Sequence, residues 1–260
     1  MLTIKANGEE LAYERAGSGP PLILVHSLGT GAWLWKDQIE KWKADFDVIA
    51  FDARGHGSST NRGGVTMRAI AGDILAALEK LEVGPAHFLG ISMGGLICAR
   101  IYEEAPDRVL SLVIADSFPT LGEAGMDRVK ALEQTIGPIP IAEYGRIYAD
   151  ETILPATPRE HHARLARSIA GMEKESYLQT VRSVFTEAVV GCLAAVKVPA
   201  LVVVGENDNR TPPAASRKIV EIVGHADFAL VPASAHLANL DNPDGFHAAV
   251  DPFLRRQLES

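Results

Sequence analysis

The chain has 260 residues, of which 47% are hydrophobic and 22% are charged, and its formal net charge at pH 7 is −8. This composition is typical of a globular protein, and the length suits one large α/β domain. Because the chain is acidic and has no basic cluster, nucleic acid and anionic membrane surfaces are poor partners for it.

The termini and the cysteines bear on the location of the protein. The opening residues MLTIKANGEE lack the charged and then apolar pattern of a signal peptide, and no apolar run approaches the length of a membrane span. Cys98 and Cys192 have no metal-binding or redox spacing, so we expect two reduced, buried thiols. These features together predict a cytoplasmic location.

Short strand-like runs alternate with helical patterns along most of the chain. LTIKAN and LAYERA predict an opening hairpin turned at Asn7-Gly8. Six further strands, most of them continuous apolar runs, are predicted at 21–26, 47–52, 87–91, 110–116, 200–205 and 228–232. Helices are predicted between and after them at 32–43, 66–82, 93–105, 212–223 and 243–257. This alternation predicts a mostly parallel eight-stranded sheet with helices on both faces.

The alternation stops between residues 118 and 195, where no convincing strand occurs. Helical segments are predicted there at 123–136, 158–171 and 174–189, separated by proline and glycine residues. An ordinary pair of crossover helices is the alternative to an inserted cap, but the interval is too long for one crossover. We therefore predict a core of residues 1–117 and 196–260, with residues 118–195 inserted as a helical cap over the carboxyl edge of the sheet.

Ser92 is the first candidate for chemistry. The stretch AHFLGISMGG places it between Gly90 and Gly94, after a predicted buried strand and before a predicted helix. A serine on such a tight turn projects its hydroxyl above the sheet, and small residues two positions away on each side allow the turn to close. The positive end of the following helix also faces this position. We predict that Ser92 is a nucleophile, with a chance G-x-S-x-G match as the alternative.

A serine nucleophile needs a base, and the base needs an acid that orients it. His236 lies in a loop of small residues just past the last predicted strand, at the carboxyl edge where working loops of such sheets lie. Asp208 lies in GENDNRTPP, the loop after the preceding strand. We predict His236 as the general base and Asp208 as its acid. Asp116, which ends the strand at 110–116, is the alternative acid.

Backbone amides are expected to stabilise the oxyanion of a tetrahedral intermediate. The N–H of Met93, directly after the nucleophile, is one predicted donor. The glycine-rich loop HSLGTG after the third strand supplies the other, and Leu28 is our choice within it. His161 and His162 have no third ligand at a metal-binding spacing, so no metal is predicted.

With these motifs in place, the chain resembles the α/β-hydrolase superfamily over essentially its whole length. LVHSLGTGAW, FDARGHGSS, HFLGISMGG, VVGENDNRTPP and ASAHLANLDNP stand in the expected order, as do the three triad residues. Within the superfamily the chain is most similar to 3-oxoadipate enol-lactonases, which share its oxyanion loop and its DARGHG turn. The resemblance implies a cofactor-free serine hydrolase that acts on a small ester or lactone through an acyl-enzyme.

Other functions of the same superfamily remain alternatives. A C–C bond hydrolase of meta-cleavage products usually has Pro-Gly in the oxyanion loop, which HSLGTGAW lacks. A general carboxylesterase, a haloperoxidase-like esterase and a non-catalytic ligand receptor also fit the fold. A carboxylated lactone would need a cationic partner in the pocket, so we predict that one arginine of the cap faces Ser92, from the set Arg128, Arg146, Arg159, Arg164, Arg167 and Arg182.

Overall fold

A single eight-stranded sheet forms the centre of the molecule. The computed structural model describes residues 1–259. The strands are β1 Leu2–Ala6, β2 Glu9–Ala16, β3 Pro21–Val25, β4 Asp47–Phe51, β5 Ala86–Ile91, β6 Val109–Ala115, β7 Ala200–Gly205 and β8 Asp227–Val231. All eight correspond to predicted strands, and the predicted fold class is confirmed.

The order of the strands across the sheet is β1-β2-β4-β3-β5-β6-β7-β8. β2 runs antiparallel to both β1 and β4, and the remaining neighbours are parallel. The first hairpin turns at Asn7 and Gly8, whose φ angles of 49° and 83° are the positive values that a tight hairpin turn requires. Because β5 to β8 are parallel, the loops that follow them open at one edge of the sheet.

Helices cover both faces of the sheet, which explains the continuous apolar runs. Every residue of β4, β5 and β7 is buried, whereas β1 and β8 at the two edges are partly exposed. The helices outside the insertion are α1 Lys36–Trp42, α2 Met67–Lys80, α3 Met93–Glu104, α9 Pro213–Val223, α10 Ala238–Asp241 and α11 Pro243–Leu258, with 3₁₀ turns at Ala32–Trp35 and Pro106–Arg108. The helix predicted at 32–43 is therefore a 3₁₀ turn followed by an α-helix.

Five helices lie between β6 and β7 in the chain. They are α4 Ala124–Ile136, α5 Ile141–Thr152, α6 Arg159–Ala170, α7 Lys174–Thr186 and α8 Val190–Ala194. α4 packs against α7, and α5 packs against α6. The two ends of the insertion meet, because Thr120 and Ala188 form a β-bridge and the Val189 amide donates to the Pro119 carbonyl at 2.9 Å. The exact limits of the cap, 118 and 195, remain a prediction.

The sequence did not predict α5 or α8, and the predicted helix at 174–189 ends three residues earlier, as α7. Gly145 in the middle of α5 weakens the helical pattern. The same glycine allows α5 to approach α6, since a Cβ atom at this position would lie 2.6 Å from the Ala166 carbonyl oxygen. A packing contact between two helices thus favours a residue that lowers helix propensity.

The remaining fold-level predictions concern cysteines and membrane spans. Cys98 and Cys192 are both buried free thiols, as expected. Among residues 1–259 no helix combines the length and the apolar character that crossing a bilayer needs.

Candidate active site

Ser92 occupies a strained turn between β5 and α3. Its φ of 55° and ψ of −116° are unusual for a residue with a side chain, and such strain is typical of functional positions. The neighbouring glycines make the turn possible. A Cβ atom on Gly90 would lie 2.1 Å from the Gly94 carbonyl oxygen, and one on Gly94 would lie 2.0 Å from the Val25 carbonyl oxygen. The glycines therefore let α3 lie directly against β5 and β3.

His236 lies within hydrogen-bond distance of Ser92. Its Nε2 is 2.9 Å from the Ser92 Oγ, and its Nδ1 is 3.0 Å from the Asp208 Oδ2. In the neutral tautomer with the proton on Nδ1, the serine hydroxyl donates to the ring and the ring donates to the carboxylate. All three side chains are buried. The structure thus places the three residues predicted from the sequence in one continuous hydrogen-bonded line.

The loop after β7 fixes Asp208. Its Oδ1 accepts hydrogen bonds from the backbone amides of Arg210 and Thr211 at 2.8 and 2.9 Å, and its Oδ2 accepts one from the Thr211 hydroxyl at 2.6 Å. Burial raises the pKa of this carboxyl, but the charge and hydrogen bond of His236 and the bonds from Thr211 outweigh burial. The pKa of Asp208 therefore lies below its ordinary value, and the group is ionised at neutral pH.

Asp116, the alternative acid, has a different environment. Its Oδ1 accepts the amide of Gly205 at 2.7 Å, and no hydrogen bond joins it to His236 within residues 1–259. Burial and the nearby charge of Asp208 hold the pKa of Asp116 well above its ordinary value. A group that resists ionisation is unsuited to stabilising an imidazolium, so the geometry and the charges favour Asp208 as the acid.

The two predicted oxyanion donors flank Ser92. Met93 is the first residue of α3, where amides of a helix have no intrahelical partner and attract negative charge. Leu28 lines the same cavity as Ser92, and its carbonyl accepts a hydrogen bond from the Tyr148 hydroxyl at 3.3 Å. Both residues are buried. Their role as oxyanion donors remains a prediction.

His26 supports the loop that contains Leu28, a role the sequence did not reveal. Its Nδ1 donates to the Ser27 carbonyl at 2.7 Å, and its Nε2 accepts the Ala53 amide at 2.9 Å. These two bonds require the neutral ring, and burial lowers the pKa of His26 to about 4. A histidine directly after a strand was the only signal in the sequence, and it did not distinguish support from chemistry.

A cavity of about 470 Å³ opens above Ser92 and His236. Five aromatic rings line it, all from the segment between β6 and β7, namely Phe118, Tyr144, Tyr148, Tyr177 and Phe185. The volume suits a small organic molecule. A larger surface hollow of about 850 Å³ contains none of the triad residues. The smaller, less open cavity is therefore the candidate site.

Two arginines line this cavity. Arg128, on α4, is the one member of the six predicted cap arginines that does so. Arg210 is the other, and it follows Asp208 in the loop after β7 rather than lying in the cap. The sequence contained this residue within the triad motif, but the direction of a loop side chain could not be read from the pattern. Among the remaining cap arginines, Arg182 pairs with Glu133 and Glu175 on the surface.

On α6, His162 makes two polar contacts with neighbouring residues. His162 is buried, with its Nδ1 3.3 Å from Asp150 and its Nε2 3.2 Å from the Leu154 carbonyl. Within residues 1–259 no three His, Cys, Asp or Glu side chains are grouped so that they could hold a metal ion.

Comparison with known proteins identifies the family of this fold. Residues 20–243 match the family model described as alpha/beta hydrolase fold, and the chain belongs to that family. It is 30% identical to 3-oxoadipate enol-lactonase 2 of Acinetobacter baylyi, over 98% of this chain and 96% of the relative. The chain is thus a hydrolase by family.

Solved structures show the same likeness. A thermophilic esterase from Thermogutta terrifontis, solved with malate bound, superimposes with a TM-score of 0.86 at 27% identity and covers 98% of both chains. The enol-lactonase from Burkholderia xenovorans LB400 superimposes with a TM-score of 0.89 at 24% identity, over 98% of this chain and all of the other. The second comparison shows the fold alone.

Proposed function

We propose that this protein hydrolyses a small carboxylic ester or enol-lactone through a covalent acyl-enzyme on Ser92. The observation that carries the proposal is the line from the Ser92 hydroxyl through His236 to the ionised Asp208, at 2.9 and 3.0 Å, beneath a closed-in cavity. The enol-lactonase and esterase relatives support the substrate class. No cofactor is needed for this chemistry.

In the first half of the reaction, Ser92 attacks the substrate carbonyl carbon. His236 Nε2 takes the hydroxyl proton as the Oγ–C bond forms, and Asp208 stabilises the resulting imidazolium. The carbonyl oxygen becomes an oxyanion, which the amides of Leu28 and Met93 stabilise. The bond to the leaving oxygen then breaks, and His236 returns its proton to that oxygen. In a lactone the leaving oxygen stays attached to the acyl group, so the ring opens without release of a product and the whole chain remains bound to Ser92.

In the second half, a water molecule replaces the leaving group. His236 takes a proton from the water, and the resulting hydroxide attacks the acyl carbon. A second oxyanion forms at the same two amides, the bond to the Ser92 Oγ breaks, and His236 protonates the serine. The carboxylic acid leaves and the enzyme returns to its starting state.

Replacement of Ser92 tests the nucleophile directly. We expect Ser92→Ala to lower kcat for a chromogenic short-chain ester by at least about 10³-fold, since loss of a triad nucleophile removes most of the catalysis. An organophosphonate should add its mass to the wild-type protein at Ser92 and leave the variant unlabelled. Circular dichroism checks that the variant is folded. Comparable turnover in a folded Ser92→Ala protein would refute the mechanism.

A further inference from the structure

We propose that Arg210, outside the cap, binds a carboxylate of the substrate and makes the cavity selective for anionic acyl compounds. This inference rests on the proposed function, because it names the class of ester or lactone that the same site accepts. The sequence predicted such a contact from a cap arginine. The structure shows a second candidate in the loop after β7, two residues beyond the triad acid.

Arg210 is fixed in place before any ligand arrives. Its backbone amide donates to Asp208, and its guanidinium carbon lies 4.4 Å from the ring centroid of Tyr148. Its Nη2 donates to Glu151 at 3.2 Å. The Arg210 side chain is only 16% exposed, whereas that of Glu151 is 66% exposed. An arginine stacked on a ring and held at its backbone loses little freedom when it binds an anion.

The guanidinium of Arg210 has unused hydrogen-bonding capacity. Its Nε is buried and has no hydrogen-bond partner within residues 1–259. A buried donor on a charged group is costly to leave unsatisfied. The Glu151 carboxylate, which is largely in solvent, accepts a hydrogen bond only from the Nη2 of this guanidinium. A carboxylate in the cavity can satisfy the remaining donors of the same group, in the paired geometry that guanidinium groups favour.

The charge of the cavity points to the same ligand. Arg128 and Arg210 line it, and no Asp, Glu or Lys among residues 1–259 does. The chain as a whole has a net charge of −8, so this cavity is a local exception. Aromatic walls lower the effective dielectric constant and strengthen the attraction for an anion. A neutral ester would gain nothing from either arginine.

Arg210 and Arg128 differ in exposure, which separates their roles. Arg128 is exposed on α4, with its guanidinium 5.9 Å from the ring of Phe185, and it makes no hydrogen bond or ion pair within residues 1–259. An exposed, unpaired arginine contributes mainly long-range attraction that salt screens. The less exposed, prepositioned Arg210 is therefore the group that we assign to the carboxylate.

A matched pair of substrates tests this assignment. Mono(4-nitrophenyl) glutarate has a free carboxylate, and its methyl ester has the same acyl length and the same leaving group without the charge. We expect wild-type kcat/KM to be at least about tenfold higher for the acid, since a hydrogen bond to a charged group contributes enough free energy to change kcat/KM by that factor or more. Arg210→Gln should remove this preference, Arg210→Lys should keep part of it, and Arg128→Gln, the control, should keep most of it.

Glutarate itself provides a measurement that does not depend on turnover. We expect calorimetry to show that Arg210→Gln weakens glutarate binding by roughly tenfold or more, and that Arg128→Gln does so by less. The lysine variant retains a cation on Tyr148, so it remains informative if the glutamine variant is unstable. A preference for the acid that survives in Arg210→Gln, or that is lost only in Arg128→Gln, overturns the inference.

The two levels of the proposal fail in different ways. If the wild-type protein hydrolyses neither nitrophenyl ester, the proposed function fails, and the glutarate measurement still reports on Arg210. If the protein hydrolyses both esters equally well and binds glutarate no better than Arg210→Gln does, the hydrolase proposal stands and the role of Arg210 is wrong.

Discussion

Asp208 and Asp116, the two candidate partners of His236, have opposite electrostatic surroundings. Hydrogen bonds and His236 lower the pKa of Asp208, whereas burial and Asp208 itself raise the pKa of Asp116. Asp208→Asn removes a negative charge and reverses the hydrogen bond to the imidazole, so we expect kcat/KM to fall by about 10³- to 10⁴-fold. Asp116→Asn replaces a carboxyl that makes no hydrogen bond to His236 within residues 1–259 by a group of the same shape, so we expect a change below about tenfold.

Steady-state kinetics at pH 7.5 with a nitrophenyl ester checks both variants, with thermal denaturation as the control for folding. The opposite ranking, with the large loss in Asp116→Asn, would make Asp116 the acid of the triad.

At this scale the sequence indicated Ser92, His236 and Asp208, because each has a residue type suited to one catalytic role and lies in the turn or loop after a predictable strand. It did not indicate Arg210 or the support from Thr211. Both lie in a loop, where the side-chain direction depends on hydrogen bonds that periodicity does not encode.

The contact between α3 and the sheet depends on the absence of a side chain at Gly94. A Cβ atom there would lie 2.0 Å from the Val25 carbonyl oxygen, which belongs to the backbone of β3 and cannot move aside. We expect Gly94→Ala to lower the free energy of unfolding by at least about 2 kcal/mol.

Gly191→Ala is the matched control, because no atom lies within 4 Å of a Cβ at that position in α8. Alanine there should be neutral or should stabilise by up to about 1 kcal/mol. Urea denaturation measures both variants. If Gly94→Ala and Gly191→Ala had the same urea midpoint, α3 would be able to shift away from the sheet without loss of stability.

Among the elements, the strands were easier to predict than the helices of the insertion. A fully buried strand has an apolar run that few other structures share. α5 contains Gly145, which its packing against α6 requires, and this tertiary requirement overrides the local pattern. α5 was therefore missed because a packing requirement selected a residue of low helix propensity, whereas α4, α6 and α7 kept a helical pattern.

For the whole molecule, two buried histidines make stability depend on pH. Burial lowers the pKa of His26 to about 4, and burial together with His26 lowers the pKa of His56 to about 3, from an ordinary value of 6.5. Below pH 6.5 the unfolded chain binds protons at these residues and the folded chain does not. Each histidine therefore lowers the free energy of unfolding by about 1.4 kcal/mol per pH unit as the pH falls from 6.5 to its folded-state pKa.

Comparison with His56→Gln isolates one of the two contributions, because buried carboxyls such as Asp52 and Asp116 are common to both proteins. Relative to the variant, the wild-type protein should lose about 1.4 kcal/mol of stability per pH unit between pH 6.5 and 4. Urea denaturation at several pH values gives the slope. A difference that does not change with pH would show that His56 titrates alike in the folded and unfolded chains.

The bridge between Thr120 and Ala188 closes the insertion on itself. β6 and β7 pair directly, from Leu112 opposite Ala200 to Ala115 opposite Val203, so their spacing does not depend on what lies between them in the chain. The four helices between the bridging residues, α4 to α7, can therefore be substituted, shortened or exchanged while the sheet and the loops of Ser92, Asp208 and His236 stay in register. We expect descendants of one ancestral enzyme to acquire new substrates mainly through sequence changes in this segment, while the sheet and its catalytic loops stay the same.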